Sequence, residues 1–447
     1  MGGYGRNTTP NLQRIASLPK GTAFTQCIAT AKWSLASVAS MLTGTYPEYH
    51  GMDHQTEVLP RDIETVPELL AEQGYQTSGL SINTYFSEPT DLDRGFKWFK
   101  KIDVSNFLRV AGFQLFLNYA LGLRRHSAGF TLDKRKHRPD YLVNELGKDR
   151  LKSLKGTDEP FFFMLHYHGA HIPYYPPIPY QDAYTDEIAL STSEARDVAF
   201  EHTTDILEEI AMSQTYAPEE WEAISAMYDA LIAYTDDLVG DFFDYMMSLD
   251  LENTIIVITA DHGDLLGEYG LLSHKLVLHD ALTRVPLVVY GSDDLLGRGD
   301  ELVQHPDIMQ TLVASVGGRT DQFQGIDLRE QSREFAVSQR KTRVSERLDT
   351  IESYNSNFDR SAFHESGVTA LRTTEFKYQR SDHKSELFKL PDELEDVSAK
   401  HPDETTTFDQ LLTKWIDEHG GQSHAPATAE FSDTVKQQLA DLGYTEK

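Results

Sequence analysis

A serine at the start of a predicted helix is the first side chain in the sequence that can act as a nucleophile. The segment from Trp33 to Gly44 predicts a helix that begins at Ser34 and ends at the glycine. A hydroxyl at that place lies near unpaired backbone N–H groups and the positive end of the helix dipole, which favours an anionic substrate. The other interpretation is that Ser34 only caps the helix.

Two potential metal ligands follow a predicted strand near residue 260. Asp261 and His262 stand at the exit of the strand predicted for Thr254–Asp261, and Gly263 follows them. A carboxylate and an imidazole that leave a strand together can point into one metal site. The same turn also occurs without a metal, so this segment alone leaves both interpretations open.

Three histidines lie at the exit of another predicted strand, Phe161–Tyr167. His166 and His168 share one strand face because side chains alternate along a strand, and His171 falls in the following turn. Three imidazoles at such a place predict that at least one of them acts as a metal ligand, a general acid or an oxyanion donor.

A basic pair, His274 and Lys275, follows the loop that begins at Gly267. Either side chain can supply a cation to a phosphate or sulfate oxygen. The alternative interpretation is a solvated basic pair on a loop.

The elements that must position these side chains alternate along the chain. Strands that are apolar on both faces and are separated by helices predict an α/β fold, with a mostly parallel sheet sandwiched by helices. In such sheets the chemistry lies at the carboxyl edge of the strands. The predicted strands are Thr77–Asn83, Phe161–Tyr167, Thr254–Asp261 and Val285–Tyr290, and the predicted helices include Val66–Gln73 and Glu219–Met247.

A change to short, polar segments near residue 330 predicts a domain boundary. We expect a large domain over residues 1–330 and a small C-terminal α+β subdomain with peripheral helices over residues 331–447. Within the second part, Val368–Arg372 and Phe376–Arg380 predict a small hairpin.

The composition excludes several classes of protein. The chain has 447 residues, 40% of them hydrophobic, which is enough for a sizeable core. Its single cysteine, Cys27, excludes an intramolecular disulfide framework and a cysteine-based zinc ribbon. The 41 Lys and Arg residues against 70 Asp and Glu give a net charge of −29, which argues against nucleic-acid binding.

The acidic residues are spread along the whole chain and are not gathered in one tail. This distribution predicts that the whole surface is adapted to the solvent in which the protein works. We expect a halophilic protein that works in a high-salt cytoplasm, where salt screens the self-repulsion. An ordinary acidic mesophilic protein is the alternative. The start of the sequence shows no secretory signal. The most apolar stretch, Phe107–Leu123, predicts an amphipathic helix, either a core or lid helix or, as the alternative, a membrane anchor; we favour the first and expect no stable membrane insertion.

Taken together, these segments resemble the sulfatases of the alkaline phosphatase superfamily in order and spacing. The resemblance extends over nearly the whole chain, and further short motifs take part in it. These are Tyr4-Gly5, Thr9-Pro10-Asn11-Leu12, Leu42-Thr43-Gly44-Thr45-Tyr46-Pro47, His50-Gly51, Gly74-Tyr75-Gln76-Thr77, Arg94-Gly95-Phe96, His171-Ile172-Pro173-Tyr174, Ala370-Leu371-Arg372-Thr373 and Glu386-Leu387-Phe388.

The resemblance implies a role for each candidate residue. Ser34 falls where typical members carry a Cys or Ser that is oxidised to formylglycine, whose hydrate attacks sulfur. His171 matches a histidine that protonates or positions the ester, and His274, or Lys275 beside it, matches the basic residue that grips the sulfate. The two remaining candidates, Asp261 and His262, match ligands of a divalent cation, for which Ca²⁺ or Mg²⁺ is expected first and Mn²⁺ or Zn²⁺ stays open.

The sequence departs from the family pattern around the nucleophile. The modification motif has Pro two residues and Arg four residues after the nucleophile, where this chain has Ala36 and Val38. Cys27, seven residues upstream of Ser34, has no matching context and is not a substitute. An unmodified Ser34 hydroxyl can still attack phosphorus or sulfur when a metal lowers its pKa, and relatives with a plain hydroxyl tend to act on phosphoesters.

A second departure concerns the front of the family pattern. The family begins with a buried strand that ends in one or two metal-binding aspartates, and this sequence starts after it. Restoring that strand and its loop takes roughly 20 residues, so we expect a start further upstream. Without that strand the predicted sheet lacks a central strand.

Three functional hypotheses follow. The first is a metal-dependent hydrolase of small-molecule or glycan sulfate esters with Ser34 as the nucleophile. The second keeps the site with an unmodified Ser34 but is a phosphodiesterase, a phosphonate hydrolase or a phosphoglycerol-type transferase. The third is a metal-deficient, non-catalytic homologue.

Overall fold

A computed structural model of the protein describes residues 5–103, 106–251, 253–420, 424, 426–428 and 436. Tyr4, in the first motif of the resemblance, lies outside the described residues. The helices are α1 Pro10–Ala16, α2 Ser34–Thr43, α3 Pro47–His50, α4 Val66–Glu72, α5 Phe107–Leu121, α6 Leu123–His126, α7 Asp140–Lys155, α8 Thr192–His202, α9 Ile206–Met212, α10 Pro218–Ser248, α11 Asp280–Thr283, α12 His305–Ser315, α13 Ser345–Tyr354 and α14 Pro402–His419. The strands are β1 Gly21–Ile28, β2 Glu57–Val58, β3 Gln76–Ser81, β4 Trp98–Lys101, β5 Phe161–His166, β6 Ile256–Thr259, β7 Leu265–Leu266, β8 Leu272–Ser273, β9 Arg284–Tyr290, β10 Leu302–Gln304, β11 Ala336–Arg340, β12 Val368–Arg372, β13 Phe376–Arg380, β14 Ser385–Lys389 and β15 Ala427–Thr428.

The central sheet consists of two pieces. One has the strand order β10-β1-β9-β6 and the other has the order β4-β3-β5. Strand β3 is parallel to both of its neighbours and β1 is parallel to β10, whereas β9 is antiparallel to β1 and to β6. The predicted strand Val285–Tyr290 therefore exists, but it runs against the mostly parallel direction of the sheet.

Strands β5 and β6 are the edges at which the two pieces of the sheet approach each other. Their carboxyl ends meet, because His166 Nε2 of β5 lies 3.6 Å from Oδ2 of Asp261, which follows β6. Every residue of both strands is only partly buried, in contrast to the mostly buried residues of β3. The polar side chains after β5 and β6 thus share one edge of the sheet, as the sequence predicts.

Helices cover both faces of the sheet, and the alternation of side chains along β5 shows how. Phe162 and Met164 pack with apolar residues of α2, α4 and α12 on one face. Phe163 and Leu165 point to the other face, where they pack with residues of α7 and α10. Period-two alternation with apolar residues on both sides is typical of a strand that is sandwiched between two helical layers.

The C-terminal part contains a separate antiparallel sheet with the order β11-β12-β13-β14. The predicted hairpin corresponds to β12 and β13, and helix α14 packs on this sheet through Leu412 and Trp415. Backbone contacts join the sheet to the larger part, since the Gln339 N–H donates to the Thr30 carbonyl at 2.8 Å. The boundary at residue 330 stays a prediction.

Helix α5, which corresponds to the predicted core or lid helix, is neither straight nor buried. It is bent at Gly112, whose φ is 76°, and it exposes Phe113 and Leu121. The prediction of a core helix is therefore wrong, because apolar residues occur all round this segment and only one side of it meets the protein. Within the part of the chain that the structure describes, no helix is long and apolar enough to cross a membrane.

Candidate active site

Ser34 is the first residue of α2, and its side chain points into the carboxyl edge of the sheet. The residue before it, Trp33, is the N-cap in extended conformation, so Ser34 does not cap the helix. Its Oγ instead lies 3.3 Å from Nε2 of His262. The side chain is almost fully buried, with 2% of the residue's surface exposed. Gly44 ends the helix in the left-handed region, as predicted, and a Cβ there would overlap the ring of Phe323.

His262 presents a lone pair to the serine. Its Nδ1 lies 2.7 Å from the Gly263 carbonyl oxygen, which only an N–H can satisfy, so Nδ1 carries the proton. When the ring is neutral, Nε2 is then the acceptor and the Ser34 hydroxyl donates to it. When the ring is protonated, its positive charge faces the Asp261 carboxylate. An imidazole with this tautomer can accept a proton from a hydroxyl or bind a metal through Nε2.

Asp261 lies between two imidazoles. Its Oδ2 is 3.6 Å from His166 Nε2 and 3.8 Å from His262 Nε2. Burial opposes ionisation of this carboxyl, but the two imidazoles and the Ser34 hydroxyl outweigh it and hold the pKa well below its usual range. Asp261 Oδ2 is nevertheless a buried oxygen without a hydrogen-bond partner among the described residues.

Two pairs of atoms here have the spacing of ligands that share a cation. Ligand atoms that each lie about 2.0–2.3 Å from one cation are separated by roughly 3–4.5 Å, and Asp261 Oδ2 lies at such distances from His166 Nε2 and from His262 Nε2. Among the described residues, one group of three has all its ligand atoms within 4.8 Å of one another: His262, Asp264 and His274. In that group both Asp264 oxygens already accept hydrogen bonds, whereas Asp261 Oδ2 accepts none, so the pair Asp261 and His262 also stays a candidate.

His274 and Lys275 are buried, which excludes the interpretation of a solvated basic pair. His274 Nδ1 is 2.6 Å from Oδ1 of Asp264, and the His274 ring centroid is 4.5 Å from that of His262. Burial, followed by the nearby guanidinium of Arg347, lowers the pKa of Lys275 to about 7. The protonation of Lys275 therefore changes close to neutral pH.

The loop after β5 places its histidines in different environments. His171 Nδ1 is 2.8 Å from the Ile172 carbonyl oxygen, and the His171 ring centroid lies 5.5 Å from that of His274, so His171 borders the site. Burial and the neighbouring charges of His262 and Lys275 lower the pKa of His171 to about 3, which keeps it neutral.

His168, by contrast, is engaged by the buried Arg138. An Arg138 guanidinium nitrogen lies 2.6 Å from His168 Nδ1, and another donates to the carbonyl oxygens of His171 and Pro173. The role of His168 is therefore to hold the loop. His166, which shares its strand face, contributes to the site through Asp261.

Sequence reasoning missed a small basic pocket beside Trp33. The pocket has a volume of about 20 Å³, and its cationic walls come from distant parts of the chain. Lys32 lies two residues before Ser34, and that spacing was the one signal available in the sequence. The basic residues that line the pocket are Lys32, His274, Lys275, Arg340 and Arg347.

Lys32 also links two other residues of the pocket through hydrogen bonds. Its Nζ donates to the carbonyl oxygens of His274 and Lys275, at 2.5 and 3.1 Å. Burial and the positive charges of Arg347 and Arg340 hold the pKa of Lys32 well below its usual value. Asp264, also missed, orients His274, and Tyr174 donates to its second oxygen at 2.8 Å.

Comparison with known proteins decides the family. A family model described as Sulfatase matches residues 1–318. The chain belongs to the sulfatase family. Its relatives in this family include the uncharacterized sulfatase YidJ of Escherichia coli K12, which is 24% identical over 320 residues that make up 68% of this chain and 62% of the relative. Human iduronate 2-sulfatase is 28% identical over 324 residues, 65% of this chain and 57% of the relative.

The chain spans about 40 to 60% of the length of the first curated sulfatases that it matches. Solved structures cover it more completely. The phosphonate monoester hydrolase of Agrobacterium radiobacter has a TM-score of 0.71 at 18% identity, and that of Silicibacter pomeroyi has a TM-score of 0.69 at 19% identity, each covering 95% of both chains. These similarities confirm the predicted alkaline phosphatase and sulfatase fold.

Proposed function

We propose that this member of the sulfatase family is a metal-dependent hydrolase of sulfate esters in which the Ser34 oxygen is the nucleophile. The observation that supports this most is the contact between the buried Ser34 Oγ and Nε2 of His262, at 3.3 Å, next to the unpartnered oxygen of Asp261. A buried hydroxyl that donates to an imidazole beside a carboxylate has an acceptor for its proton and a place for a cation.

Asp261 and His262 would hold the divalent cation. A cation bound there would lower the pKa of a nearby hydroxyl and neutralise negative charge on the ester. A carboxylate suits Ca²⁺ or Mg²⁺, which prefer oxygen ligands, and an imidazole suits Mn²⁺ or Zn²⁺, so this pair accommodates either class of cation.

The basic side chains around the pocket supply positive charge for the anionic group of an ester, and the pocket itself, which has room for about one water and is also lined by Asp53, would widen to admit that group. Lys275 and Lys32 lie close to the guanidinium groups of Arg340 and Arg347, and these like charges disfavour one another's charged form. A tetrahedral anion relieves that repulsion and holds the protons on the lysines. This local positive charge allows a protein with a net charge of −29 to admit a sulfate ester.

His171 and His274 complete the proposed arrangement. Both have lowered pKa values because they are buried, so both are neutral near pH 7. Because Nδ1 of each neutral ring directs its N–H at an oxygen, of Ile172 in one case and of Asp264 in the other, Nε2 carries a lone pair that can accept a proton or a hydrogen bond. Asp264 keeps His274 in place through its 2.6 Å contact with Nδ1.

A phosphonate or phosphodiester is the second candidate substrate. Ala36 and Val38 stand where the formylglycine motif has Pro and Arg, and an unmodified serine is typical of relatives that act on phosphoesters. The full-length structural similarity to phosphonate monoester hydrolases fits this alternative at the level of the fold. Both substrates present a tetrahedral anion, so the same pocket serves either.

Two measurements test the proposal. The mass of the peptide that contains Ser34 shows whether the hydroxyl is intact or oxidised. The kcat/KM of the purified chain is then compared on an aryl sulfate and an aryl phosphonate monoester with Ca²⁺, Mg²⁺, Mn²⁺ or Zn²⁺ supplied. A clear preference for the sulfate supports the first candidate, a clear preference for the phosphonate supports the second, and activity on neither ester contradicts both.

We further propose that the chain works in a solvent of high salt, such as a halophilic cytoplasm. The net charge of −29 supports this, because the self-repulsion of such a surface is screened only at high ionic strength.

A further inference from the structure

A group of large apolar side chains lies exposed on one part of an otherwise acidic surface. Single exposed apolar residues are normal, but a contiguous group of them marks a binding surface. Four such side chains within residues 107–137 are at least 72% exposed: Phe113 at 72%, Leu121 at 79%, Phe130 at 88% and Leu132 at 100%.

The fold brings two of them, Phe130 and Leu132, together with apolar residues of α5 and α6. Residues of α5 and α6 form one wall of a groove of about 570 Å³, and the loop after α6 forms the other wall. Leu108 and Leu123 contribute from the helices, and Phe130 and Leu132 contribute from the loop. We call this region, residues 107–137, the apolar face.

Hydrogen bonds hold the loop of the apolar face in place. The Gly129 N–H donates to the Leu123 carbonyl oxygen at 3.1 Å, and the φ of 79° at this position favours glycine. His137 bridges the loop, with Nδ1 2.8 Å from Ser127 Oγ and Nε2 3.0 Å from the Thr131 carbonyl oxygen. The exposure of Phe130 is thus a property of an ordered loop.

The charge of the apolar face is opposite to that of the protein. Residues 107–137 contain six lysines and arginines and a single acidic residue, Asp133, in a chain with 70 acidic residues. Asp133 is already paired with Arg135 at 3.0 Å. Four exposed cations of this face form no ion pair within the described residues: Arg109, Arg124, Arg125 and Lys134.

We propose that the apolar face binds the surface of an anionic lipid bilayer. Exposed Phe and Leu side chains flanked by unpaired cations match an interface with acyl chains below and anionic headgroups above. The rest of the acidic surface is repelled by such a bilayer, so the protein binds in one orientation. Helix α5 has 15 residues and is bent at Gly112, which suits a helix that lies in the interface and does not span it.

Two other occupants fit the face less well. A second copy of the chain, related by two-fold symmetry, would bring two sets of unpaired cations together, and that repulsion opposes association. A nucleic acid would neutralise the cations but would leave the fully exposed Leu132 in water.

Flotation of the full chain with lipid vesicles tests the proposal. The vesicles are phosphatidylglycerol or phosphatidylcholine, each at low and at high KCl. At low KCl we expect binding to phosphatidylglycerol and little binding to phosphatidylcholine. At high KCl we expect this preference to disappear, because only the apolar contribution is left. The double variant Phe130→Ser/Leu132→Ser is expected to weaken binding by about tenfold or more at both salt concentrations, since the apolar contribution is not screened.

A charge variant and a matched control complete the design. Arg124→Gln/Arg125→Gln is expected to weaken binding at low salt and to have little effect at high salt, because salt screens headgroup attraction. Leu394→Ser removes a side chain that is 81% exposed elsewhere on the protein and is expected to change nothing. All substituted residues are exposed, so circular dichroism should show the wild-type fold.

The proposal is overturned if the wild-type chain binds neither vesicle, or if the apolar double variant binds as well as Leu394→Ser. Light scattering provides the other contradicting outcome. A wild-type dimer that becomes a monomer in Phe130→Ser/Leu132→Ser, with no vesicle binding, would assign the face to a second copy of the chain.

Discussion

The hydroxyl oxygen of Ser34, at the start of α2, lies 3.3 Å from Nε2 of His262, which follows β6 and is 228 residues away in the sequence. The contact is directed, because His262 uses Nδ1 on the Gly263 carbonyl and offers Nε2 to the serine. The sheet and its helices bring these two residues together, since each lies where an element begins or ends. The predictions below follow from this arrangement and its surroundings.

Removing a proposed metal ligand should remove the metal. The variant Asp261→Asn keeps the shape of the side chain but loses the charge that the cation would share, so we expect metal binding to weaken by at least about 100-fold. Metal content after dialysis, measured by mass spectrometry, checks this. Asp236→Asn is the matched control, because Asp236 is a buried carboxylate that accepts backbone N–H groups of Asn11 and Leu12. Equal metal content in both variants would contradict the assignment.

The pH dependence of substrate binding should depend on Lys275. Burial lowers its pKa to about 7, so the ammonium is present below that pH and is lost above it. An anionic ester needs the charged form, so kcat/KM should fall as the pH rises through about 7. Lys275→Arg keeps the charge to much higher pH and should shift this fall upward. The same pH profile in both proteins would exclude Lys275 as the group responsible.

The C-terminal sheet should stabilise the loop that carries the basic pair. Arg372, in β12, forms a buried ion pair with Asp280 at 2.8 Å, and Lys377, in β13, donates to the Leu278 carbonyl oxygen at 2.6 Å. Arg372→Met removes the guanidinium hydrogen bonds to the buried Asp280 carboxylate and leaves Lys377 as its neighbouring cation, so the free energy of unfolding should fall by about 1.5–3 kcal/mol.

Chemical denaturation of Arg372→Met measures this loss. The comparison variant is Arg14→Met, which removes an exposed arginine that pairs with Asp244 on the surface and should change the stability little. If the two variants unfold at the same denaturant concentration, the ion pair with Asp280 does not stabilise the loop.

Salt should stabilise the whole protein. With a net charge of −29 the folded chain repels itself at low ionic strength, and added KCl screens that repulsion. Thermal unfolding in increasing KCl should therefore show a rising Tm. A Tm that does not change with KCl would favour the ordinary acidic mesophilic protein instead.

The sequence predicted those elements whose pattern is strong and local. Strands β5 and β6 are almost continuous apolar runs, and α2 lies within the stretch that Gly44 ends. Strand β1 was missed because Thr22 and Gln26 interrupt its apolar residues, although it pairs with both β9 and β10.

The candidate site was predicted in part for the same reason. Its members next to strand ends, such as Asp261 and His262, have a recognisable position. Arg340 and Arg347 enter the basic pocket from segments about 300 residues after Ser34, and no spacing in the sequence indicates that approach. The exposure of α5 was mispredicted because an apolar helix has the same sequence pattern whether it packs in the core or binds another partner.

The most direct measurement of the central claim is the turnover of an aryl sulfate by Ser34→Ala, with metal supplied and at high KCl. The control is Ser40→Ala, because Ser40 lies in the same helix and its Oγ is likewise close to an imidazole, 3.0 Å from Nε2 of His50. If Ser34 is the nucleophile, Ser34→Ala turns over substrate at the background rate while Ser40→Ala retains activity. Wild-type turnover by Ser34→Ala would contradict the account.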